Sequence, residues 1–344
     1  MDYQSTKQSE IQTSHTNLFK IKKASQWIEE AKNRPIPQML FDVFWHEGEL
    51  CILFADSNVG KSILAVQIAN SISKGKSIAG FRLESHLPQQ ILYFDFELSD
   101  KQFETRYSQN FSNHYPFSDK LLRVEIDPEA GIPDVYKNNY EAYLLHQLEI
   151  AVVEVKAKIL IIDNLTYLGS DNEKGRDALS LMKQLKALKK KYDLSVMVLA
   201  HTPKRDMSKP LNGNDVSGSK MLMNFCDSAF AIGRSTLNST IRYIKQIKER
   251  STEKVYGDDN VCVCNIVKHS NFLEFELTGY SEEREHLREW TGKALNELDQ
   301  QIIEIKQTNP ELSNRSIADK LKTNHMRVGR VLEREKDSIT LSES

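Results

Sequence analysis

The residues best suited to chemistry form one short run, Ala-Asp-Ser-Asn-Val-Gly-Lys-Ser at positions 55–62. An apolar stretch that predicts a strand (49–54) precedes it, and residues with helical periodicity (61–74) follow, which is the context that a phosphate-binding loop requires. Backbone N–H groups and the dipole at the helix start attract phosphate, and Lys61 adds a full positive charge. The run therefore predicts ATP and Mg²⁺ as cofactors, with Ser62 as a metal ligand. The predicted nucleotide-binding residues are Ala55, Asp56, Ser57, Asn58, Val59, Gly60, Lys61, Ser62 and Ile63.

One position departs from the phosphate-loop consensus G-x-x-x-x-G-K-[ST], because Ala55 stands where the first glycine is expected. The methyl group costs about 1 kcal/mol if the backbone needs a glycine-like φ, and less if it does not. We expect the loop to tolerate the alanine.

Polar side chains end three other predicted strands. Asp163 follows the apolar run 159–162, His201 follows 195–200, and Asp95 and Glu97 flank a phenylalanine after 90–94. Ligands gather at the carboxyl ends of parallel strands, so Asp163 is predicted to bind Mg²⁺, with a helix cap as the alternative. One of the carboxylates Asp95 and Glu97 can reach an attacking water, unless both merely end a solvated strand.

The elements that must position these residues alternate along the chain. Apolar strands without polar alternation, separated by helical stretches such as 100–111, 140–155 and 176–191, indicate a parallel sheet covered on both faces. After position 228 the predicted strands 229–232, 241–247, 261–267 and 272–277 follow one another without helices, which indicates an antiparallel edge. The fold class is therefore α/β, a doubly wound parallel sheet with an antiparallel edge, followed by a small all-α domain.

Composition limits the class of protein. The chain has 344 residues, 40% hydrophobic and 27% charged, and its 46 basic and 48 acidic residues give a net charge of -2. This is the composition of a globular protein without a global positive field for nucleic acid. No stretch reads as a signal peptide or a membrane span, and four cysteines suit a reducing compartment, so a cytoplasmic location without membrane contact is expected. Cys262 and Cys264 are interpreted as buried strand thiols.

The C-terminal part predicts three short helices. Apolar residues recur at helical spacing over 295–306, Ser313 can cap a second helix, and a turn at 322–324 precedes a third. This is the plan of a helix-turn-helix, whose last helix enters the major groove of DNA. Between residues 314 and 334, six basic and two acidic residues leave a local charge of +4. Duplex DNA is the predicted partner, and a helical lid or oligomerisation module is the alternative.

These motifs together resemble the RecA-like hexameric ATPases, specifically the RepA-type replicative helicase branch of the AAA proteins. The resemblance rests on residues 58–62, 93–97, 161–163 and 199–201 and covers about residues 18–278. It implies that Glu97, in preference to Asp95, polarises the hydrolytic water, that Asp163 holds Mg²⁺ through water, and that His201 senses the γ-phosphate. It also implies that Lys248 and Arg250 act on the nucleotide of a neighbouring subunit in a homo-oligomer, with a hexamer as the expected form; a solvated turn is the alternative for this pair.

The predicted organisation is an N-terminal entry segment (1–47), a RecA-like ATPase domain (48–280), a linker (281–294), a helix-turn-helix (295–336) and a tail (337–344). Single-stranded DNA is expected to pass through the ATPase ring, and duplex DNA to bind the helix-turn-helix. The predicted DNA-binding residues are Lys204, Arg205, Lys322, Asn324, His325, Arg327 and Arg330.

Three functions fit this reading. The first is an ATP-hydrolysing, DNA-associated helicase, loader or remodeller in plasmid, phage or mobile-element replication. The second is an ATP-switched DNA-binding regulator that acts through its helix-turn-helix. The third is a KaiC-like signalling ATPase.

Overall fold

The computed structural model describes residues 19–164, 176–203, 205–216, 220–288 and 297–321, with 323, 325, 328, 329, 331 and 332. The chain divides into two compact units, residues 1–38 and 39–344. In the first unit, helix α1 (Ala24–Lys32) contains no buried residue. Its apolar side chains Trp27 and Ile28 are 42% and 64% exposed, so α1 builds no core of its own.

The second unit contains all other elements. Its strands are β1 (Met39–Phe41), β2 (Trp45–His46), β3 (Leu50–Ala55), β4 (Ile91–Asp95), β5 (Ser108–Gln109), β6 (Asn113–His114), β7 (Leu121–Val124), β8 (Ile159–Asp163), β9 (Ser195–His201), β10 (Ser228–Arg234), β11 (Ile241–Lys248), β12 (Val261–His269) and β13 (Phe272–Ser281). Its helices are α2 (Lys61–Lys74), α3 (Asp100–Arg106), α4 (Tyr140–Val155), α5 (Arg176–Tyr192), α6 (Lys220–Phe225), α7 (Glu297–Thr308) and α8 (Asn314–Lys320). None of these described helices is both long enough and apolar enough to cross a bilayer.

One sheet of nine strands organises this unit, in the order β13-β12-β11-β10-β3-β9-β8-β4-β7. From β10 to β7 every neighbouring pair is parallel, and from β10 to β13 every pair is antiparallel. The predicted α/β fold, a largely parallel sheet covered on both faces and extended by an antiparallel edge, is confirmed.

The core lies on both faces of the sheet because successive strand residues point to opposite sides. In β3, Cys51, Leu53 and Ala55 belong to the cluster that packs against α2. Leu50, Ile52 and Phe54 belong to the cluster that contains residues of α4 and α5. Strands buried on both faces read as continuous apolar runs, and this is why the sequence pattern located them.

Two parts of the fold differ from the expected boundaries. Residues 39–46 were predicted to belong to an entry segment, but the hairpin of β1 and β2 contributes Phe41, Phe44 and Trp45 to the main core. Strand β7 was not predicted. Its residues are only partly buried and include Arg123 at the sheet edge, so the continuous apolar pattern of the inner strands is missing there.

The start of the predicted linker is also packed against the sheet. Glu283 is 1% exposed; its carboxylate pairs with Lys245 Nζ and accepts a hydrogen bond from the N–H of Leu211 at 2.7 Å. His286 is 3% exposed and lies 2.9 Å from Ser235 Oγ through its Nδ1. The prediction of a linker is therefore corrected for residues 281–288, because Glu283 and His286 anchor this segment inside the fold.

The C-terminal residues form a small helical cluster. Ser313 caps α8 by accepting a hydrogen bond from Ser316 N–H at 3.2 Å, as the sequence predicts. Ile302 of α7 and Ile317 of α8 pack with Val328 and Val331. A compact apolar core thus joins three successive segments of this region.

Candidate active site

The phosphate-binding loop sits at the centre of the sheet. Ala55, the last residue of β3, pairs with Ile232 of β10 and with His201 of β9. Gly60 precedes α2 with φ 111°, and a Cβ built there would lie 2.9 Å from Ile266 Cδ1. Glycine is therefore required at position 60 by both backbone conformation and space.

Ala55 explains why the loop tolerates the missing first glycine. It is the last residue of a regular strand and is fully buried, so its backbone does not need glycine-like torsions. The positive φ angles of the loop occur instead at Asn58 (59°) and Gly60 (111°). Asparagine tolerates this region better than most residues, so the alanine carries little of the expected cost.

Lys61 is buried at the start of α2, with 5% exposure. Its ammonium donates to the carbonyl oxygens of Ala55 at 3.2 Å and Asp56 at 3.3 Å. It also lies 3.0 Å from His201 Nδ1. Burial lowers the pKa of Lys61, while the carboxylates of Asp163, Glu97 and Asp56 oppose that shift.

Asp163 lies beside this lysine at the end of β8 and is completely buried. Its Oδ2 accepts a hydrogen bond from the Tyr93 hydroxyl at 2.9 Å, whereas its Oδ1 has no partner among the described residues. Desolvation raises the pKa of Asp163 to about 6, although a hydrogen bond from Ser62 opposes the shift. A buried, unsatisfied carboxylate oxygen next to a serine fits a hard cation with oxygen ligands.

Glu97, His201 and Asn164 meet at the mouth of the site. The Glu97 Oε1 atom lies 3.1 Å from His201 Nε2 and accepts a hydrogen bond from Asn164 Nδ2. The hydrogen bond with His201 is the main cause that lowers the pKa of Glu97, and Asn164 and Lys61 add to it. Glu97 is thereby held as a carboxylate that faces the lysine of the loop.

Asp95 has a different environment, although it is only two residues away. Its side chain is fully buried and receives Arg123 Nε at 2.8 Å. It also accepts hydrogen bonds from the N–H groups of Glu97 at 3.2 Å and Leu98 at 3.0 Å. Asp95 therefore shapes the turn that carries Glu97, with its oxygens engaged inside the protein.

A cavity of ≈ 470 Å³ lies between the loop, α3 and the side chains of Glu97 and His201. Residues from the predicted nucleotide loop and the two polar residues Glu97 and His201 line it; the loop residues are Ser57, Asn58, Gly60, Lys61, Ser62 and Ile63. Ala55 and Val59 are buried. Asp56 instead accepts a hydrogen bond from the Thr202 hydroxyl.

Two residues of α3 line the same cavity and were not predicted, Gln102 and Arg106. The Nη1 atom of Arg106 is buried and has no partner among the described residues. Their spacing of four places both on one face of a helix that begins just after Glu97, a pattern that could have indicated them.

Arg205 was predicted to contact DNA, but its side chain is only 6% exposed. Its Nη1 donates to the carbonyl of Lys209 at 2.9 Å, and its Nε lies 4.0 Å from Asp56 Oδ2. A DNA contact needs an exposed guanidinium, so the structure corrects this prediction. Arg205 instead packs its own loop against the phosphate-binding loop.

Lys248 and Arg250 do not join the site within one chain. Lys248 pairs with Ala229 at the start of β10, whereas Ala55 pairs with Ile232 further along that strand. The Lys248 ammonium contacts the carbonyl of Met223, and Arg250 lies 3.3 Å from Asp227. These cations therefore lie toward the opposite end of the strands from Lys61.

Of the other six predicted DNA-binding residues, the structure describes one. His325 is exposed. The remaining five lie outside the described residues; they are Lys204, Lys322, Asn324, Arg327 and Arg330.

Comparison with known proteins identifies the family of this chain. No curated protein matches this sequence. Among solved structures, the chain is similar to a KaiC-like protein from the hyperthermophilic archaeon Pyrococcus horikoshii OT3, with 12% identity, a TM-score of 0.43, and coverage of 67% of this chain and 91% of that one. The AAA_25 family model, described as an AAA domain, matches residues 16–207. This match spans more than half of the chain, which therefore belongs to the AAA_25 family of P-loop ATPases.

Proposed function

We propose that this protein is a Mg²⁺-dependent ATPase that works on DNA, as a helicase, loader or remodeller in plasmid, phage or mobile-element replication. The observation that carries the ATPase part is the convergence of Lys61, Glu97 and His201 around one cavity, with the buried carboxylate of Asp163 acting on Lys61. These residues come from α2, β8, β9 and the turn after β4, and together they supply the charges that phosphoryl transfer needs.

ATP binds with its phosphates against the N–H groups of the loop and the ammonium of Lys61. Arg106, whose buried Nη1 lacks a partner among the described residues, supplies a second cation. Ser62 and Asp163 hold Mg²⁺, which neutralises charge on the phosphate oxygens when it is bound.

Glu97 acts as the general base. It accepts a proton from water while the water oxygen forms a bond to the γ-phosphorus, and the bond from that phosphorus to the bridging oxygen breaks to leave ADP and phosphate. His201, which touches both Lys61 and Glu97, senses the γ-phosphate. Asp95 keeps the backbone of Glu97 in place.

Hydrolysis requires a homo-oligomer, for which we propose a hexameric ring. Lys248 and Arg250 lie far along the strands from the site of their own chain, so they act on the nucleotide of a neighbour or not at all. Mixing Lys61→Ala protomers with Arg250→Ala protomers tests this: if the cation acts between subunits, mixed rings regain turnover at some interfaces.

The C-terminal segment is proposed as a helix-turn-helix that binds duplex DNA. Its capped helix α8, the core around Ile317 and the local charge of +4 support this role. These features equally favour the second candidate, an ATP-switched regulator that binds an operator through this segment.

The test is ATP turnover without DNA, with single strands and with duplex, recorded with the mass in solution. Lys61→Ala and Glu97→Gln, in which turnover should fall to a small residual value, serve as controls. A truncation after Arg288 keeps Glu283 and His286 inside the fold and removes only the C-terminal segment. A motor keeps its DNA-stimulated turnover in this variant, whereas a regulator loses its DNA binding; equal turnover with and without DNA in the full chain would contradict the motor.

A further inference from the structure

Asn164 follows the metal-binding Asp163 and has no role in the function proposed above. It directly follows β8, is 4% exposed and lies within reach of two functional side chains. Its Nδ2 donates to Glu97 Oε1 and lies 2.9 Å from His201 Nε2. A buried amide that donates to the general base can determine where the Glu97 carboxylate points.

The tautomer of a neutral His201 follows from its contact with Lys61. An ammonium group only donates hydrogen bonds, so His201 Nδ1, at 3.0 Å, must accept from Lys61. In a neutral imidazole the proton then resides on Nε2. This Nε2–H faces Glu97 Oε1 at 3.1 Å, and donates to it.

Two donors thus converge on one carboxylate oxygen of Glu97. The amide of Asn164 directly follows β8 and the imidazole N–H belongs to β9. The two donor nitrogens lie 2.9 Å apart, and both face Glu97 Oε1. A single donor would leave the Glu97 side chain free to rotate about its bonds, whereas two donors from adjacent strands restrict it. Lys61 thus contacts His201, His201 contacts Glu97, and Asn164 donates a further hydrogen bond to Glu97.

We propose that Asn164 is a positioning residue, whose amide acts together with the His201 imidazole to hold the Glu97 carboxylate in register with Lys61. This inference rests on the proposed ATPase function. A misplaced general base reduces turnover without weakening the binding of ATP, because the loop and Lys61 still hold the phosphates.

The test compares Asn164→Ala and Asn164→Asp with the full-length wild type. Asparagine and aspartate have the same shape, but aspartate lacks the N–H donors and places a second carboxylate next to Glu97. If the amide acts as a donor, both variants lower kcat by about 10- to 100-fold, with aspartate at least as impaired as alanine and KM for ATP changed less than about threefold. If Asn164 only fills space, aspartate retains the activity that alanine loses, and the proposal is overturned.

A double-mutant cycle supplies a second criterion. When Glu97→Gln is already present, Asn164→Ala should change the residual turnover by less than about twofold, because its effect passes through Glu97. Independent, multiplicative losses would overturn the proposal. Asn70→Ala is the matched control: Asn70 is 9% exposed in α2 and bonds Tyr115 away from the cavity, so the variant reports the loss of a buried asparagine alone.

The two hypotheses fail in different ways. If the wild type does not hydrolyse ATP under any of the DNA conditions, the ATPase function itself is contradicted. If the wild type hydrolyses ATP and both Asn164 variants bind a fluorescent ATP analogue as tightly as it does, the ATPase function stands. The proposal for Asn164 is then supported by the lowered kcat values and the non-additive cycle, and it is overturned by an unchanged kcat or by multiplicative losses.

Discussion

Arg123→Ala separates the roles of the two carboxylates that flank Phe96. Asp95 is fully buried and Arg123 is 20% exposed, and their contact at 2.8 Å is the ion pair that neutralises Asp95. The guanidinium also donates to the carbonyl of Leu98 and to Asp100, whose side chain is 85% exposed. The substitution removes all of these bonds and leaves a charged group buried.

The expected loss of stability follows from the exposure of each partner. A charge-assisted hydrogen bond to a buried carboxylate contributes about 1.5–3 kcal/mol. The pair with Asp100 contributes below about 1 kcal/mol because solvent screens it. The two backbone N–H groups still solvate Asp95, so we expect a total of about 3 kcal/mol, which lowers the Tm of a domain of this size by roughly 6–12 °C.

Thermal unfolding of the full chain measures this shift. Asp100→Asn is the matched control, since it removes one of the two exposed carboxylate partners of Arg123, the other being Glu125, and we expect its Tm to change by less than about 2 °C. Glu97→Gln, in contrast, should lower turnover by about 10²- to 10⁴-fold with a similarly small change in Tm. A Tm of Arg123→Ala equal to that of the wild type would refute the structural role of Asp95. So would full loss of turnover in a stable Asp95→Asn variant when Glu97→Gln remains active.

Three further outcomes are expected. Gly60→Ala should weaken binding of a fluorescent ATP analogue by at least about tenfold, because the positive φ of residue 60 disfavours a side chain and a Cβ there would collide with Ile266. Ala55→Gly, in contrast, should leave binding of the analogue unchanged and lower the Tm slightly. Burial raises the pKa of Asp163 to about 6 from 3.8, so ionisation of Asp163 costs stability as the pH rises through this window, by roughly 3 kcal/mol when complete. Asp163→Asn should therefore raise the Tm near pH 7.5 in the absence of Mg²⁺, and by much less near pH 4. Glu283→Ala leaves the buried Lys245 without its buried partner and should lower the Tm by an amount equivalent to about 3 kcal/mol.

Each of these has a contradicting result. Tight nucleotide binding by Gly60→Ala would mean that the loop can relax away from Ile266. A gain in Tm for Asp163→Asn that is the same at both pH values would show that burial does not shift the titration of Asp163. An unchanged Tm for Glu283→Ala would restore the view of 281–288 as a free linker.

The phosphate loop and the inner strands could be predicted from sequence because local patterns determine them. A strand buried on both faces must be apolar throughout, as in β8 (Ile159–Asp163). A loop that wraps phosphate before a helix needs glycine and lysine at fixed spacing. The polar residue after each parallel strand then reaches the same edge of the sheet, which is why Asp163 and His201 were located without coordinates.

Only the tertiary structure decided features that depend on distant partners. Asp95 and Glu97 are equivalent in the local sequence, but Arg123 from the edge strand β7 binds one of them and His201 from β9 contacts the other. Arg205 has the composition of a surface residue, yet Asp56 and the carbonyl of Lys209 surround it. Periodicity records which side of an element is buried, whereas the identity of a partner depends on how the chain returns to the sheet, and no local pattern contains that information.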